Sequence, residues 1–305
     1  MSNSNETMGT LFIKDVVKVD NAIFDPSLGV VGQSWHLDVT LWGTLDPNGF
    51  VFDFSELKSL IKTTTKGTID HALLLPVGSQ LVHFSETADG EQWHLKSKGR
   101  QQQGSFDWDY RCPKGAVYPI RAVGITPAII EQECGRLLRH RLPASIHKIS
   151  VKLRDEAAES AAAFFRYTHG VTGHNGLCQR LFHGHRSRIE IVVGDERRPD
   201  LEHYVARELL GGIVHIACPS QVIEGTVELG TRGKVGQTVR LRYSGSLGSY
   251  EALLPAERVF MVGPDTSIEC IAQTLIDVLV KSEGLSDSIK LTIYEGIDKG
   301  SIAER

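Results

Sequence analysis

The sequence predicts an α+β protein in which one set of elements occurs twice, each set forming an antiparallel sheet with helices on one face. Apolar and polar residues alternate at 37–41 and again at 189–193, which predicts a half-buried strand in each half. Apolar residues at helical spacing follow each strand, at 54–61 and at 201–209. Strands and helices in this order favour sheets that bury one face under helices.

The later elements continue the duplication. In both halves a Gly-rich, strand-like stretch, a second helix and a last strand follow in the same order, at 80–122, 127–139 and 149–153 and at 222–262, 266–280 and 289–293. We therefore expect two tandem domains, at 1–157 and 158–305. No Pro/Gly-rich linker separates the halves, so they should pack closely.

The second helix of the C-terminal half has its own start signal. Thr266-Ser-Ile-Glu269 has the pattern of a capping box and precedes an apolar series at helical spacing. We therefore interpret Glu269 as part of a helix cap rather than as a catalytic acid.

Composition and charge exclude several classes of protein. The formal net charge is −4 and the isoelectric point is about 6.3, which argues against a general nucleic-acid binder. No apolar run approaches the ~18 residues of a membrane span, and the first residues lack the basic and apolar regions of a secretory signal. The five cysteines are widely spaced without a C-x-x-C motif, so we expect no disulfide framework, no zinc finger and a cytoplasmic location.

Histidines cluster in the first part of the C-terminal half. His183 and His185 are two residues apart, so on a strand both side chains point to one face, and Gly184 leaves the other face open. His169 lies upstream at a distance that suits the partner strand of a hairpin. Three converging imidazoles would bind Zn²⁺ and leave one coordination position open for a substrate. The alternative is a solvated, histidine-rich hairpin; His174 is interpreted as a surface residue.

Cys178 lies five residues before His183. If the loop folds back, a nearby dication would stabilise the thiolate and make it a base or a nucleophile. Alternatively, Cys178 is a fourth ligand or a buried small hydrophobe, and we interpret the other four cysteines in this last way.

Asp70 and His71 are adjacent in the N-terminal half. A carboxylate beside an imidazole can orient the ring and raise its pKa, which suits acid–base chemistry near neutral pH. Taken alone, the pair is better interpreted as an aspartate that caps a turn, with an ordinary histidine next to it.

Together these motifs resemble those of the 6-pyruvoyltetrahydropterin synthase / 6-carboxytetrahydropterin synthase family, whose members have the tunnelling fold (T-fold). The resemblance covers most of the chain but draws on both halves. The matching pieces are Phe165-x-x-x-His169, Cys178-x4-His183-Gly-His185, Asp53-Phe-Ser-Glu-Leu-Lys58, Asp70-His71-Ala-Leu-Leu, Thr266-Ser-Ile-Glu269 and Tyr294-Glu295.

The resemblance implies two tandem T-fold domains and a zinc-dependent lyase that acts on 7,8-dihydroneopterin triphosphate. It implies that His169, His183 and His185 bind Zn²⁺, which would act as a Lewis acid. Its other implications are a pterin as the small-molecule partner, no nucleic acid or membrane, and a homo-oligomer.

The resemblance also assigns roles to residues around the metal. Cys178, Asp70 and His71 would form the acid–base set that moves protons. Glu295, on the last strand, would accept hydrogen bonds from the amino and ring N–H groups of the pterin, because an ionised carboxylate only accepts.

Each half lacks motif residues that the other retains. In the N-terminal half the His-Gly-His position is Val31-Gly32-Gln33, and no histidine replaces the upstream ligand near Phe12–Val16. In the C-terminal half Val214-His215 aligns with Asp70-His71, so the carboxylate is lost. One composite site, with the zinc ligands from the C-terminal domain and Asp70-His71 from the N-terminal domain, is therefore expected.

The product is less well defined by the motifs. The spacing from Cys178 to His183 lies between those typical of the two branches of the family, whereas the Cys-x-Arg-Leu context favours the carboxy branch, which feeds queuosine and deazapurine synthesis. The alternatives are 6-pyruvoyltetrahydropterin synthase activity, or a diverged T-fold protein that binds a pterin or purine without this chemistry. The long stretches at 80–122 and 222–262 are interpreted as added hairpins.

Overall fold

The computed structural model of the protein describes residues 7–98, 107–159, 161–284 and 288–305. These residues form three β-sheets and four α-helices, which confirms the predicted α+β class. One sheet belongs to each half of the chain, and the third takes strands from both.

The described part of the N-terminal half contains eight strands and two helices. They are β1 (Met8–Asp25), β2 (Gly29–Thr44), α1 (Phe54–Thr65), β3 (Leu73–Pro76), β4 (Val82–Glu86), β5 (Gln92–Lys98), β6 (Asp107–Pro113), β7 (Val117–Ile120), α2 (Pro127–Arg139) and β8 (Ile146–Arg154). Helix α1 begins after the N-cap Asp53, whose side chain accepts hydrogen bonds from the amides of Ser55 and Glu56. Asp53, part of a family motif, therefore serves locally as a helix cap.

The C-terminal half repeats this order. Its elements are β9 (Ala163–His169), β10 (His183–Val193), β11 (Glu196–Arg197), α3 (Pro199–His203), β12 (Ile213–Ala217), β13 (Val222–Glu224), β14 (Thr238–Gly245), β15 (Gly248–Pro255), β16 (Val259–Met261), α4 (Ile268–Glu283), β17 (Ile289–Tyr294) and β18 (Gly300–Glu304). Helix α3 continues as a π-helical segment, Tyr204–Leu209.

Helix α4 begins one residue later than the capping-box pattern predicts. Its N-cap is Ser267, whose side chain accepts from the amide of Cys270. Thr266 is engaged elsewhere, because its hydroxyl donates to the Gly170 carbonyl at 3.0 Å. The interpretation of Glu269 as a capping-box partner is therefore wrong; Glu269 lies in the first turn, where its negative charge favours the helix dipole.

The two half-sheets have the same topology. The first has the strand order β7-β3-β1-β2-β8 and the second the order β16-β12-β9-β10-β17-β18. In both, the first hairpin pairs antiparallel, and so does the strand predicted to be the last, β8 or β17. The pattern did not predict β18, which pairs with β17 and has no counterpart in the first sheet. The two strands beyond the hairpin pair parallel, however. Direction of pairing depends on the strand to which the chain returns after a crossover, which the alternation of residues does not encode.

The predicted extra hairpins of both halves join in a third sheet of order β13-β14-β15-β6-β5-β4. The junction pairs β15 with β6, where Ala252 lies opposite Tyr110. Tyr110 and Tyr250 are buried in a core that this sheet shares with both half-sheets. The boundary between 157 and 158 stays a prediction, because strands from both sides of it are hydrogen-bonded in one sheet.

Helices cover one face of each half-sheet, as predicted. Fully buried side chains of the N-terminal core include Leu37, Leu41, Leu57, Ile61 and Leu138. Those of the C-terminal core include Ile189, Ile191, Ile271, Leu275 and Leu279. Burial of each such side chain stabilises the fold by about 1.5–3 kcal/mol. Among the described residues no helix combines the length and hydropathy that a membrane crossing requires.

The half-sheets cross where two glycines meet. A Cβ on Gly184 of β10 would lie 2.7 Å from the Cα of Gly32 on β2, and a Cβ on Gly32 would lie 2.0 Å from the carbonyl oxygen of Tyr167. Neither strand can carry a side chain at this point, so the two backbones touch. The crossing brings β1 and β2 against the β9–β10 hairpin, which carries the histidines.

Candidate active site

The β9–β10 hairpin positions the three predicted histidines. His169 pairs with His183 across the hairpin, and His185 lies two residues further along β10 on the same face. One ring nitrogen from each of the three lies within 4.8 Å of the other two, and the three residues are fully buried. A spacing of this kind lets three imidazoles converge on a single ion.

Hydrogen bonding leaves nitrogen lone pairs directed into this cluster. The Nδ1 of His169 donates to the carbonyl oxygen of Thr266 at 2.7 Å, so its Nε2 carries the lone pair. The Nδ1 of His185 lies 3.2 Å from a carboxylate oxygen of Asp20. The Nε2 of His169 and both ring nitrogens of His183 and of His185 have no hydrogen-bond partner of good geometry among the described residues. Unpaired buried nitrogens are costly, and a metal ion would satisfy them, so the donor set fits zinc.

Burial keeps two of these imidazoles, those of His169 and His183, neutral. It lowers the pKa of His169 to about 4, and the neighbouring His185 also disfavours its protonated form. The pKa of His183 is held well below its usual value by burial, with His185 and His71 adding repulsion. Neutral imidazole is the form that binds a metal, so neither ring needs to lose a proton near neutral pH.

Asp70 and His71 reach this cluster from the N-terminal half. The Nδ1 of His71 lies 2.8 Å from the Asp70 carboxylate, and the His71 ring stacks on His183 with centroids 4.4 Å apart. His71 has a φ of 60°, a left-handed conformation, and its amide donates to the Asp20 carbonyl at 2.7 Å. Its own carbonyl accepts from Arg180 at 2.6 Å. The backbone of this turn is therefore fixed from both halves.

Cys178 lies beside His71 and His183. It is half-buried in a short 3₁₀ turn, Leu177–Gln179, and its sulfur and one nitrogen from each of the two histidines lie within 4.8 Å of one another. Burial alone would lower the pKa of His71, but its hydrogen bonds to Asp70 and Cys178 raise the pKa to about 10. At neutral pH the His71 ring is therefore an imidazolium between a carboxylate and a thiol.

The other cysteines lie outside this cluster. Cys112, Cys134 and Cys218 are buried, as predicted. Cys270 is only half-buried, so the interpretation of it as a buried hydrophobe is wrong; it lies in the first turn of α4, which is partly open to solvent.

Glu295 borders His169 and His185, and it lies directly after β17 and before β18, so its expected place on the last strand is wrong. Its Oε1 lies 3.7 Å from the Nε2 of His185 and 3.8 Å from that of His169. Burial favours the neutral carboxyl, but His185, His169 and Lys299 outweigh it and lower the pKa of Glu295. The Nζ of Lys299 lies 3.8 Å from Glu295 and 3.2 Å from Asp20. Glu295 is therefore ionised and only accepts hydrogen bonds.

Sequence reasoning did not identify Asp20 or Lys299. Asp20 and Asn21 are buried polar residues between the apolar Val19 and Ala22 of β1. Two adjacent polar residues inside an apolar strand were the sequence signal that could have indicated a functional position. Lys299 is four residues after Glu295, in the loop between β17 and β18. No sequence pattern indicates a functional residue there.

A cavity of about 360 Å³ opens beside Cys178. Asp70, His71 and Cys178 line it. Its remaining lining residues are Val17, Lys18, Lys62, Thr65, Lys66, His174, Gly176 and Leu177. Three of these are lysines, so the cavity attracts anions. His174, interpreted from the sequence as a surface residue, is exposed but also lines this cavity.

The equivalent position in the N-terminal half has no histidines. Ile23 pairs with Val31 as His169 pairs with His183, so the counterpart of His169 is Ile23. The expected counterpart position near Phe12–Val16 is therefore wrong, because β1 is longer than β9 and contains an irregularity between Ile13 and Val17.

The strand register also corrects the alignment of His71. Thr168, beside His169, pairs with His215, and the equivalent Ala22 pairs with Leu73. His215 thus corresponds to Leu73 rather than to His71. It is buried, and its Nδ1 is hydrogen-bonded to the hydroxyl of Thr168 at 2.9 Å. The conclusion that the C-terminal half lacks an Asp-His pair is unchanged.

A comparison with known proteins tests the family resemblance that the motifs predict. A family model described as 6-pyruvoyl tetrahydropterin synthase matches residues 29–88, which include Asp70 and His71. The family resemblance predicted from the motifs is confirmed. No curated protein matches the chain.

Solved structures of this family are also similar to the chain. The 6-pyruvoyl tetrahydropterin synthase of Plasmodium falciparum is 17% identical, with a TM-score of 0.38, over 49% of this chain and 91% of that one. A catalytic residue mutant of the Plasmodium vivax enzyme is 17% identical, with a TM-score of 0.40, over 50% of this chain and 95% of that one.

Proposed function

We propose that the protein is a zinc-dependent pterin synthase, a lyase, which acts on 7,8-dihydroneopterin triphosphate at one composite site. The observation that carries the proposal is the meeting of His71 from one half with Cys178 and His183 from the other. A metal-binding cluster, a thiol and an Asp–imidazolium pair thus lie next to one another, which is the set of groups that proton abstraction beside a hydroxyl requires.

The metal would be held by His169, His183 and His185. Three protein nitrogens leave a coordination position open for the hydroxyls of the substrate side chain. Bound there, zinc would supply Lewis acidity that makes the C–H bond next to a hydroxyl easier to deprotonate.

Cys178 and His71 would move the protons. The thiolate of Cys178 would accept the proton from the substrate carbon, beside the imidazolium of His71. Asp70 orients the His71 ring through the 2.8 Å contact to Nδ1. The ring can then return a proton to the substrate.

Glu295 and the lysines would bind the two ends of the substrate. An ionised carboxylate accepts hydrogen bonds from the adjacent amino and ring N–H groups of a pterin. At the cavity mouth, Lys18, Lys62 and Lys66 would bind the triphosphate, since ammonium groups make charge-assisted hydrogen bonds to phosphate oxygens.

We propose 6-carboxytetrahydropterin as the product, which would place the protein in queuosine or deazapurine synthesis. The sequence context Cys178-x-Arg180-Leu181 supports this branch. The description of the matching family model favours the alternative, 6-pyruvoyltetrahydropterin. The cytoplasm as location and a homo-oligomer as assembly belong to the same proposal.

A product assay tests the proposal. The purified protein is incubated with 7,8-dihydroneopterin triphosphate, and the products are separated by chromatography with mass detection. We expect 6-carboxytetrahydropterin together with inorganic triphosphate and acetaldehyde, which carries away the other two carbons of the substrate side chain. A pyruvoyl product would correct the branch, and bound pterin without triphosphate release would leave a diverged T-fold binding protein and contradict the enzyme.

A further inference from the structure

We propose that Asp20 is a positioning residue of the metal centre, through which the N-terminal half orients the ligand His185. This inference rests on the proposed zinc site, but it concerns a residue that no motif includes. If it is correct, residues of both halves form the metal centre as well as the acid–base set.

The carboxylate of Asp20 is surrounded by partners. Asp20 is 3% exposed and lies in the middle of β1. Its Oδ1 accepts from the hydroxyl of Ser34 at 2.5 Å and lies 3.2 Å from the Nδ1 of His185. Its Oδ2 lies 3.2 Å from the Nζ of Lys299. A buried carboxylate persists only with such partners, and here they come from both halves.

The contact with His185 determines which nitrogen of that ring can bind a metal. A carboxylate beside Nδ1 favours the tautomer with hydrogen on Nδ1, so the lone pair lies on Nε2. The carboxylate also fixes the orientation of the ring, as outer carboxylates do for metal-bound histidines. The Thr266 carbonyl does the same for His169 with a neutral acceptor.

The equivalent position in the other half has the opposite chemistry. Ala22 pairs with Gly32 as Thr168 pairs with Gly184, so Arg166 is the counterpart of Asp20, and Gln33 that of His185. The Nε of Arg166 donates to the Oε1 of Gln33 at 3.3 Å. Gln33, at the position of His185, accepts this hydrogen bond, and Arg166, at the position of Asp20, donates it.

The chain also makes room for the Asp20 carboxylate. Gly296, directly after Glu295, has a φ of 71°, and a Cβ on it would lie 2.4 Å from the Oδ1 of Asp20. A side chain here would displace the carboxylate from His185. Lys299 balances one of the two negative charges of Asp20 and Glu295, so a cation on the histidines remains favourable.

Metal affinity tests the proposal without substrate. We expect the Zn²⁺ affinity of Asp20→Ala, measured by competition with a chelator, to fall about 10–100-fold. Asp20→Asn keeps the shape and an acceptor oxygen, so its affinity should fall less. The absorption spectrum of bound Co²⁺ should change in both variants, because the ligand field at His185 changes.

Two controls make the result specific. Asp38→Asn removes another carboxylate of the first sheet, one that is paired with Arg154 away from the histidines, and should keep the wild-type affinity. Thermal unfolding with a chelator present measures each variant without metal; if Asp20→Ala does not fold, the near-isosteric Asp20→Asn carries the test through its affinity and its Co²⁺ spectrum.

The possible outcomes separate this inference from the proposed function. Unchanged Zn²⁺ affinity and an unchanged Co²⁺ spectrum in the Asp20 variants would overturn the role of Asp20 alone. Weaker binding in these variants, in a protein that makes no pterin product, would support the role and overturn the enzyme. A wild-type protein that binds no Zn²⁺ would overturn both.

Discussion

The imidazole of His71 stacks on that of His183, with ring centroids 4.4 Å apart and planes inclined by 10°. The two rings belong to different halves of one chain. Because the Asp70–His71 pair and the three-histidine cluster meet within a single chain, the site does not need a neighbouring subunit to bring them together.

The first prediction concerns metal content. His183→Ala removes the ligand that lies between the other two histidines and His71, so we expect metal content to fall from about one zinc per chain to near zero. Elemental analysis of protein purified without a histidine tag measures this. His147→Ala, an exposed histidine of β8, is the control and should keep the metal. Equal zinc in wild type and His183→Ala would contradict the site.

The second prediction separates proton transfer from metal binding. Cys178→Ala and His71→Asn should each lower turnover of dihydroneopterin triphosphate by about 10²–10⁴-fold, the usual contribution of a general acid or base. Zinc content should stay that of the wild type, since neither residue belongs to the three-histidine cluster. Cys270→Ala, which changes a half-buried cysteine on α4, should leave turnover unchanged. Full activity in both active-site variants would refute the mechanism.

The residues that motifs identified are those whose chemistry depends on local spacing. His183 and His185 share a face because a strand alternates, and His169 follows from the hairpin. Asp20 could not be recognised in this way, because its role depends on a strand of the other half. Asp20 comes close to His185 only because the two sheets touch at Gly32 and Gly184.

The same distinction holds for the fold. Helix α2 has the predicted bounds, because its apolar spacing and its flanking residues are local signals. The third sheet could not be predicted, because the pairing of β15 with β6 joins residues about 140 positions apart, and hydrophobic alternation does not name a partner strand.

The third prediction concerns recognition of the pterin. Glu295→Gln replaces an acceptor-only group with one that also donates, opposite the donor edge of the pterin. We expect kcat/KM to fall about 10–100-fold, mainly through KM, because a hydrogen bond to a charged group contributes about 1.5–3 kcal/mol. Asp155→Asn is the matched control, because Asp155 is exposed and directly follows β8 as Glu295 directly follows β17. A fall of the same size in both variants would argue against a specific role.

The fourth prediction concerns the phosphate end of the substrate. Lys62→Glu and Lys66→Glu reverse charges at the cavity mouth and should raise KM for the triphosphate substrate by about 10-fold or more each, since they remove a charge-assisted contact and add repulsion. The effect should weaken at high salt, because exposed charges are screened. Lys58→Glu lies on the same helix but does not line the cavity, so its KM should stay close to that of the wild type.

The fifth prediction concerns the crossing of the half-sheets. In Gly32→Ala the new methyl group would lie 2.0 Å from the Tyr167 carbonyl oxygen and 2.6 Å from the His185 amide nitrogen. Both are backbone atoms, which cannot rotate away, so we expect a destabilisation of at least about 2 kcal/mol and a displaced His185. The unfolding temperature and the zinc content, measured on the same sample, should therefore both be lower than in the wild type.

A second glycine supplies the contrast for this prediction. Gly135 lies inside helix α2, and a Cβ there would meet no atom within 4 Å. Gly135→Ala should therefore stabilise the protein by about 1 kcal/mol, because alanine has the higher helix propensity, and should leave zinc content unchanged. If Gly32→Ala instead unfolds like the wild type and keeps its metal, the half-sheets do not touch as described, and the link from Asp20 to His185 fails with them.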